Sequence, residues 1–290
     1  MNLFVNKTEP IKPLKEILAY EALWAEKNTT FKTIANLFKL NPGARPSDLI
    51  GQDKVNQIAN EIRNIVLNAN INLLINGTFD FPERLKDAKE PVELLYYCGY
   101  SDFLETRCIS IVGTRNPSEK ALKITAEITK KLVTDNFTII SGLAKGIDTA
   151  AHNAAIENKG RTIGVLGTPI NKAYPQENEG LQTTIANEHL LLSQVPFYKY
   201  FNQSFKLNKV FFLERNKTMS ALSEATLIIE AGNTSGSLIQ AKAALDQNRK
   251  LLIWQDCVQN NKITWPEKFI KSGGKVVGSY EDILREVNAS

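Results

Sequence analysis

The chain has 290 residues, of which 43% are hydrophobic and 23% charged, a composition that supports a large buried core and excludes a fibrous or disordered protein. Its 35 Lys and Arg residues against 31 Asp and Glu residues give a formal net charge of +4, which permits a nucleic-acid partner without requiring one. Three cysteines without paired spacing exclude a disulfide framework, and the lack of a signal peptide or of an apolar run near ~18 residues predicts a cytoplasmic protein with no membrane segment.

The first part of the chain is predicted to be helical. Apolar residues recur at helical spacing from Leu14 to about Leu67, interrupted by a turn with Pro and Gly at residues 41–47. Residues 71–75 and an apolar segment between Pro91 and Gly99 then predict two strands. We therefore expect a small helical domain over residues 1–70 and a second domain over residues 71–290.

From Arg107 onward, predicted strands alternate with predicted helices. The strands are expected at residues 109–112, 137–140, 162–166, 189–193, 226–230, 250–254 and 276–277. The helices are expected at residues 118–134, 146–157, 178–187, 237–246 and 279–287. This alternation predicts an α/β fold with parallel βαβ units, hence a doubly wound, mostly parallel Rossmann-like sheet that binds its ligand at the carboxyl ends of its strands.

Two glycine-bearing turns follow buried strands and open into helices. The residues concerned are Gly142, Lys145 and Gly146 in the first turn, and Ser235, Gly236 and Ser237 in the second. A turn of this kind points backbone N–H groups at the start of a helix, where a phosphate is readily bound. The sequence therefore predicts a polyanion site, although a simple helix cap is the alternative for the second turn.

Asp148 and His152 lie one helical turn apart, directly after the first glycine turn. We expect them to pair with each other and to brace the loop, because neither has a visible nucleophile or metal partner for catalysis. Since the chain has only 2 histidines, the sequence predicts no metal centre.

Two further segments carry cations that could neutralise phosphates. They are Gly113, Thr114 and Arg115, after the strand at 109–112, and Arg215, Asn216 and Lys217, which are expected just before an apolar helix at residues 219–222. Each could also be an ordinary turn with solvated cations. Tyr174, in the loop after the strand at 162–166, could stack on a base or simply pack within its loop.

Common enzyme motifs are absent from the sequence. It contains no G-x-x-x-x-G-K-[ST], no G-x-G-x-x-G after a strand and no G-x-S-x-G. We therefore expect no catalytic residue and no cofactor.

In their order and spacing over about residues 70 to 275, these segments resemble the DprA/Smf family of DNA-processing proteins. The resemblance implies an extended Rossmann domain that binds single-stranded DNA, works as a homodimer and loads a RecA-type recombinase during natural transformation. It implies that residues 1–70 form a domain similar to a sterile alpha motif. It also implies a DNA groove lined by four cations, Arg115, Lys145, Arg215 and Lys217, with close backbone approach at Gly113, Thr114, Gly142, Gly146, Ser235 and Gly236.

Several residues depart from the family pattern. Thr114 stands where the family usually has Ser, and Lys217 where it has the final Arg of an Arg-Asn-Arg motif. Gln194 stands at a usually acidic position and Gln240 at a usual threonine. No winged-helix segment, which some members carry at the C-terminus, is recognised before Ser290. The resemblance therefore indicates a divergent member.

Two other functions stay open at this point. The second glycine turn is similar to the loop of lysine-decarboxylase-like nucleoside phosphate hydrolases, in which case Glu230 would serve as acid or base. Alternatively, the fold could sense a small nucleotide and report it through a partner surface.

Overall fold

The computed structural model describes residues 10–67, 71–86 and 91–289. Its strands are β1 (Asn72–Ile75), β2 (Leu94–Gly99), β3 (Cys108–Val112), β4 (Thr138–Ser141), β5 (Thr162–Leu166), β6 (Leu190–Ser193), β7 (Ala225–Ile228), β8 (Lys250–Trp254) and β9 (Lys275–Val277). Its helices are α1 (Pro13–Ala25), α2 (Phe31–Leu40), α3 (Gln52–Leu67), α4 (Glu119–Thr134), α5 (Ile147–Glu157), α6 (Glu179–Glu188), α7 (Phe197–Phe201), α8 (Phe205–Leu222), α9 (Ser237–Asp246), α10 (Gln255–Gln259), α11 (Trp265–Lys271) and α12 (Tyr280–Asn288). No helix within these ranges is long and apolar enough to cross a membrane.

The strands form one mostly parallel sheet in the order β1-β2-β6-β5-β4-β3-β7-β8-β9. β1 and β2 are antiparallel to their neighbours, and every pairing from β6 through to β9 is parallel. From β3 the chain winds outward through β4, β5 and β6, and then crosses back to place β7 on the other side of β3. This reversal makes the carboxyl ends of β3 and β7 the topological switch point, where doubly wound sheets bind ligands.

The predicted α/β fold is confirmed. The predicted bounds of β5, β8 and α9 agree with the structure. Those of the other strands and helices predicted after residue 107 differ by at most about two residues, except for the helix expected at residues 219–222, and α7, α10 and α11 were not predicted. The prediction that Arg215 and Lys217 precede a helix is wrong, because both lie inside α8, which begins at Phe205. The buried face of α8 includes Asn208, Arg215 and Asn216, so it lacks the apolar periodicity by which an amphipathic helix is recognised.

The N-terminal helices α1, α2 and α3 pack directly against the sheet. Their apolar side chains share one core cluster with residues of β2, β5 and β6, for example Ile17 with Tyr96 and Leu166. The predicted domain division near residue 70 lies outside the described residues, as do residues 1–9 of the predicted helical domain. The division therefore stays a prediction.

A buried carboxylate, Glu21 on α1, joins the helical part to the sheet part. Its Oε1 accepts hydrogen bonds from the Tyr96 hydroxyl on β2 and from the Phe197 N–H at 3.0 Å, and its Oε2 accepts from the Tyr198 N–H at 2.8 Å. Burial raises the pKa of Glu21 to about 7, and these three donors oppose the rise. Because α7 offers its first N–H groups to a side chain of α1, Glu21 fixes where α1 sits on the sheet.

We predict that Glu21→Ala lowers the free energy of unfolding by about 3 kcal/mol, because two buried N–H groups and one hydroxyl lose their acceptor. Tyr96→Phe removes a single donor and should lower it by about 1 kcal/mol. Urea unfolding measures both, with the exposed Glu61→Ala on α3 as the control. Equal stability of Glu21→Ala and Glu61→Ala would refute the bridging role of Glu21.

Candidate nucleic-acid interface

A cavity of about 490 Å³ lies at the switch point, between the turns after β3 and β7 and one side of α8. The predicted site residues that line it are Gly113, Thr114, Arg115, Asp148, Arg215, Asn216, Ser235, Gly236 and Ser237. A cavity of about 70 Å³ shares Arg115 and Arg215 with it and adds Gly142, Lys145 and Tyr174. The structure thus brings together residues from all the predicted segments.

Arg215 is the central side chain of this region and is only 5% exposed. One of its terminal nitrogens, Nη1, donates to the carbonyl of Gly142 and, at 2.8 Å, to that of Val165 at the end of β5. Its Nε donates to Oδ1 of Asn216 at 3.0 Å. A buried guanidinium must find such acceptors, so Arg215 holds the loop after β4 and the end of β5 itself against α8.

Asn216 holds the second glycine turn in the same way. Its Nδ2 donates to the carbonyl of Gly236 at 3.0 Å. Two consecutive residues of α8, Arg215 and Asn216, therefore tie the first and the second glycine turn to the same helix.

The first glycine turn binds a carboxylate of the chain itself. The N–H of Gly142 donates to Oδ2 of Asp148 at 3.2 Å, and this carboxylate is buried beside Arg215. Burial raises the pKa of Asp148, while the Arg215 guanidinium and backbone N–H groups oppose the rise. Asp148 thus bonds within the loop, and it occupies the place at which a phosphate would meet the Gly142 N–H.

Close packing explains the glycines of this region. A methyl group on Gly142 would overlap the Arg215 guanidinium, and one on Gly113 would overlap Ile147. Gly146 has a φ of +79° and faces the carbonyl of Thr114, so a side chain there would be both strained and blocked. These three glycines let the turns after β3 and β4 pack on each other.

The structure does not pair His152 with Asp148. The Nδ1 atom of His152 lies 2.7 Å from the Thr162 hydroxyl on β5, while Asp148 hydrogen bonds to Gly142 instead. Burial lowers the pKa of His152 to about 3, which keeps the ring neutral. The predicted bracing by a pair is therefore corrected to two separate contacts. Over residues 10–67, 71–86 and 91–289 no cluster of potential ligands could hold a metal ion.

Arg115 and Lys145 are the exposed cations of the region. Among the described residues the Arg115 guanidinium has no ion pair or hydrogen bond. Lys145 instead pairs with Glu177 at 2.6 Å. The ring of Tyr174, which is 36% exposed, lies edge-on to Phe212 with 5.3 Å between ring centres. The mouth of the two cavities therefore offers one unpaired cation, one paired cation and one aromatic ring.

Lys217 lies apart from the other predicted site residues. It is on the other side of α8, forms an ion pair with Glu214 at 2.7 Å, and lines a different cavity. The structure thus separates Lys217 from Arg115, although the sequence placed both on one groove.

Several polar groups of the second glycine turn hydrogen bond to each other. The Ser235 and Ser237 hydroxyls lie 2.7 Å apart, and the N–H groups of Ser235 and Leu238 donate to carbonyls within the turn. Among the described residues, no atom lies within 4 Å of a Cβ atom built on Gly232, and a Cβ on Gly236 would meet only the Asn216 amide, at 3.9 Å. The turn therefore presents hydroxyls and bare backbone to the cavity.

Three side chains of the site were not among the predicted ligands. Phe212 lines both cavities, Glu177 pairs with Lys145, and Glu230 accepts from the N–H and hydroxyl of Ser118, the N-cap residue of α4. Phe212 is close in sequence to Arg215, and Glu177 to Tyr174, but nothing in residue type separates the two from ordinary helix and loop residues.

Comparison with known proteins places the chain in one family. The family model described as DNA recombination-mediator protein A matches residues 72–288. The DNA processing protein DprA of Bacillus subtilis is 36% identical over 218 residues, which cover 75% of this chain and 71% of that protein. The X-ray structure of DprA from Streptococcus pneumoniae has a TM-score of 0.72 at 27% identity and covers 96% of this chain and 95% of its own. A Helicobacter pylori structure, described for its single-stranded DNA binding mode, has a TM-score of 0.63 at 25% identity and covers 74% and 94%.

We predict that Gly142→Ala destabilises the fold by about 2 kcal/mol or more, because its methyl group displaces the Arg215 guanidinium from its carbonyl partners. Gly232→Ala is the matched control. No atom lies within 4 Å of its added carbon, and its stability should stay within about 0.5 kcal/mol of the wild type. Thermal or urea unfolding decides between them, and equal stability of the two variants would mean that Arg215 does not hold the turn.

We also predict an acid-sensitive contribution from His152. Because the pKa of His152 falls to about 3 in the folded chain, the unfolded state binds the extra proton first, and stability is lost as the pH falls from 6.5 toward 3. The slope approaches about 1.4 kcal/mol per pH unit within this window. The free energy of unfolding, measured as a function of pH, should fall less steeply between pH 6.5 and 3 in His152→Gln than in the wild type. Replacing the half-buried His189 by Gln should reduce this steepness less. Identical profiles for wild type and His152→Gln would contradict the assignment.

Proposed function

Because the chain belongs to the DNA recombination-mediator protein A family, also called DprA/Smf, we propose that it binds single-stranded DNA at the carboxyl edge of its sheet. In this proposal Arg115 contacts a phosphate, Lys145 exchanges Glu177 for a second phosphate, and the Thr114 and Ser235 hydroxyls donate to backbone oxygens. Tyr174 stacks on a base at the mouth. Arg215 and Asn216 position these groups rather than meeting the strand themselves.

The observation that carries the proposal is the unpaired, exposed guanidinium of Arg115 at the switch point of the sheet. A cation that lacks an ion pair within the described ranges, above a cavity edged by hydroxyls, suits a phosphate. The bare backbone at Gly232 and Gly236 allows a strand to approach closely.

The finer proposals rest on the family. We propose that the protein acts as a homodimer in the cytoplasm and passes the bound strand to a RecA-type recombinase, as in natural transformation. Strand exchange by such a recombinase on DNA coated with a single-strand binding protein is the suitable assay.

The rival proposal of a nucleoside phosphate hydrolase needs Glu230 as acid or base. In the structure Glu230 accepts from both the N–H and the hydroxyl of Ser118 and so caps the start of α4. This contact favours a structural role for Glu230, and we propose no catalytic residue.

We predict that Arg115→Ala weakens binding to labelled oligo-dT severalfold and reduces the slope of log K against log salt by about 0.7, the value for one lost phosphate contact on a single strand. Fluorescence anisotropy at several salt concentrations measures both quantities.

Arg285→Ala is the matched control, because Arg285 is also an exposed arginine but lies on α12 and pairs with Asp282 at 3.1 Å. It should leave both affinity and slope unchanged. Parallel salt plots for wild type and Arg115→Ala, or tighter binding to duplex than to single-stranded DNA, would overturn the proposal.

A further inference from the structure

A third cavity, of about 650 Å³, lies on the side of α8 away from the proposed DNA site. Side chains of α8 and α9 line it, together with Phe31 from α2, Gln194 after β6 and Gln247 after α9. Its volume is in the range of small-molecule sites. The proposed DNA function makes no use of it, although Lys217, which the sequence assigned to the DNA groove, lies here.

Two buried amide side chains in this wall each have an unsatisfied atom. Gln194 is 1% exposed; its Oε1 accepts from the Thr218 hydroxyl at 2.6 Å, but its Nε2 has no partner among the described residues. Gln247 is 8% exposed; its Nε2 donates to the Lys217 carbonyl at 3.2 Å, and its Oε1 likewise lacks a partner in the described part of the chain. A buried polar atom without a hydrogen bond is unfavourable, so both atoms favour a ligand that supplies one.

Both amides line the same cavity and bond to adjacent residues of one helix. Gln194 is bonded to Thr218 and Gln247 to Lys217, which are consecutive on α8. The wall therefore combines one unsatisfied N–H donor with one unsatisfied carbonyl acceptor. The complementary ligand edge has an acceptor next to a donor, as in the lactam of uracil, thymine or guanine and the amidine of adenine.

The charge and the shape of the cavity further restrict the class of ligand that fits it. Among the described residues, the charged side chains that line the cavity are Glu214, Lys217, Lys242 and Asp246, two of each sign. Glu214 and Lys217 form an ion pair at 2.7 Å, so within the described part of the chain the lining has no excess of positive charge for a polyphosphate. The Phe31 ring, held edge-on by Trp24 at 4.8 Å between centres, gives a fixed flat apolar surface.

We propose that this cavity binds a nucleobase, with the Gln194 amide donating to it and the Gln247 amide accepting from it. The base could belong to a free nucleoside or to a bound DNA strand. This proposal is independent of the Arg115 site, and either one can hold without the other.

The test measures the melting temperature of the full chain with adenosine, guanosine, cytidine or thymidine, and with ribose as the blank. A ligand that binds only the folded state raises the melting temperature in proportion to the logarithm of its concentration. We expect such a rise for at least one nucleoside. Gln194→Met and Gln247→Met, of similar size but without the amide, should each weaken this binding by about tenfold or more.

Two further variants separate lost binding from lost folding. Ala243→Met adds bulk to the cavity wall without touching either amide, and it should also weaken the binding. Gln182→Met is the matched control, since Gln182 is a buried glutamine of α6 whose amide donates to the Ile170 carbonyl, and this variant should bind nucleosides like the wild type.

Binding of labelled oligo-dT and of an abasic strand of equal length identifies the source of the base. If nucleosides raise the melting temperature of the wild type but not that of Gln194→Met and Ala243→Met, the ligand of the cavity is a free nucleoside. The alternative result is that nucleosides do not change the melting temperature, while both variants bind oligo-dT more weakly and the abasic strand as tightly as the wild type does. In that case the ligand is a base of the bound strand. If neither nucleosides nor oligo-dT distinguish these variants from the wild type, the proposal is overturned.

Discussion

The candidate interface depends on the hydrogen bonds of two consecutive residues of α8. Arg215 binds the carbonyls of Gly142 and Val165, and Asn216 binds that of Gly236. These bonds hold turns from both halves of the doubly wound sheet against one helix. Because a buried guanidinium is stable only when its donors are satisfied, the turns and the helix must form together.

The four cations that the resemblance assigned to the DNA groove have three different environments in the structure. The Arg215 guanidinium donates its hydrogen bonds to groups within the protein, and Asp148 accepts from the turn that Arg215 holds. Lys145 and Lys217 have carboxylate partners on opposite sides of α8. Only Arg115 of the four is exposed and has neither an ion pair nor a side-chain hydrogen bond among the described residues. The other three cations are therefore held by contacts within the protein, and the Arg115 guanidinium remains exposed to solvent at the mouth of the two cavities.

The sheet could be predicted from the sequence because each strand is a short apolar run between turn residues, and β5 and β8 were placed to the residue. The start of α8 could not be predicted in this way, because its buried face carries the polar residues Asn208, Arg215 and Asn216, and the partners of the last two come from parts of the chain distant in sequence. For the same reason the sequence pointed to turns that line the cavities at the switch point, but not to the contacts that these turns make. Residue type alone does not show that the anion next to Gly142 is Asp148, or that Lys217 faces away from Arg115.

The central claim is that Arg115 meets the DNA strand while Arg215 holds the site together. Nuclear magnetic resonance of the arginine Nε–Hε groups, recorded during titration with oligo-dT, tests it most directly. The account predicts that the Arg115 signal shifts with DNA and returns toward its free position at high salt, while the Arg215 signal stays protected from solvent exchange and unmoved. A shift of the Arg215 signal as large as that of Arg115, or no shift of the Arg115 signal at saturation, would contradict it.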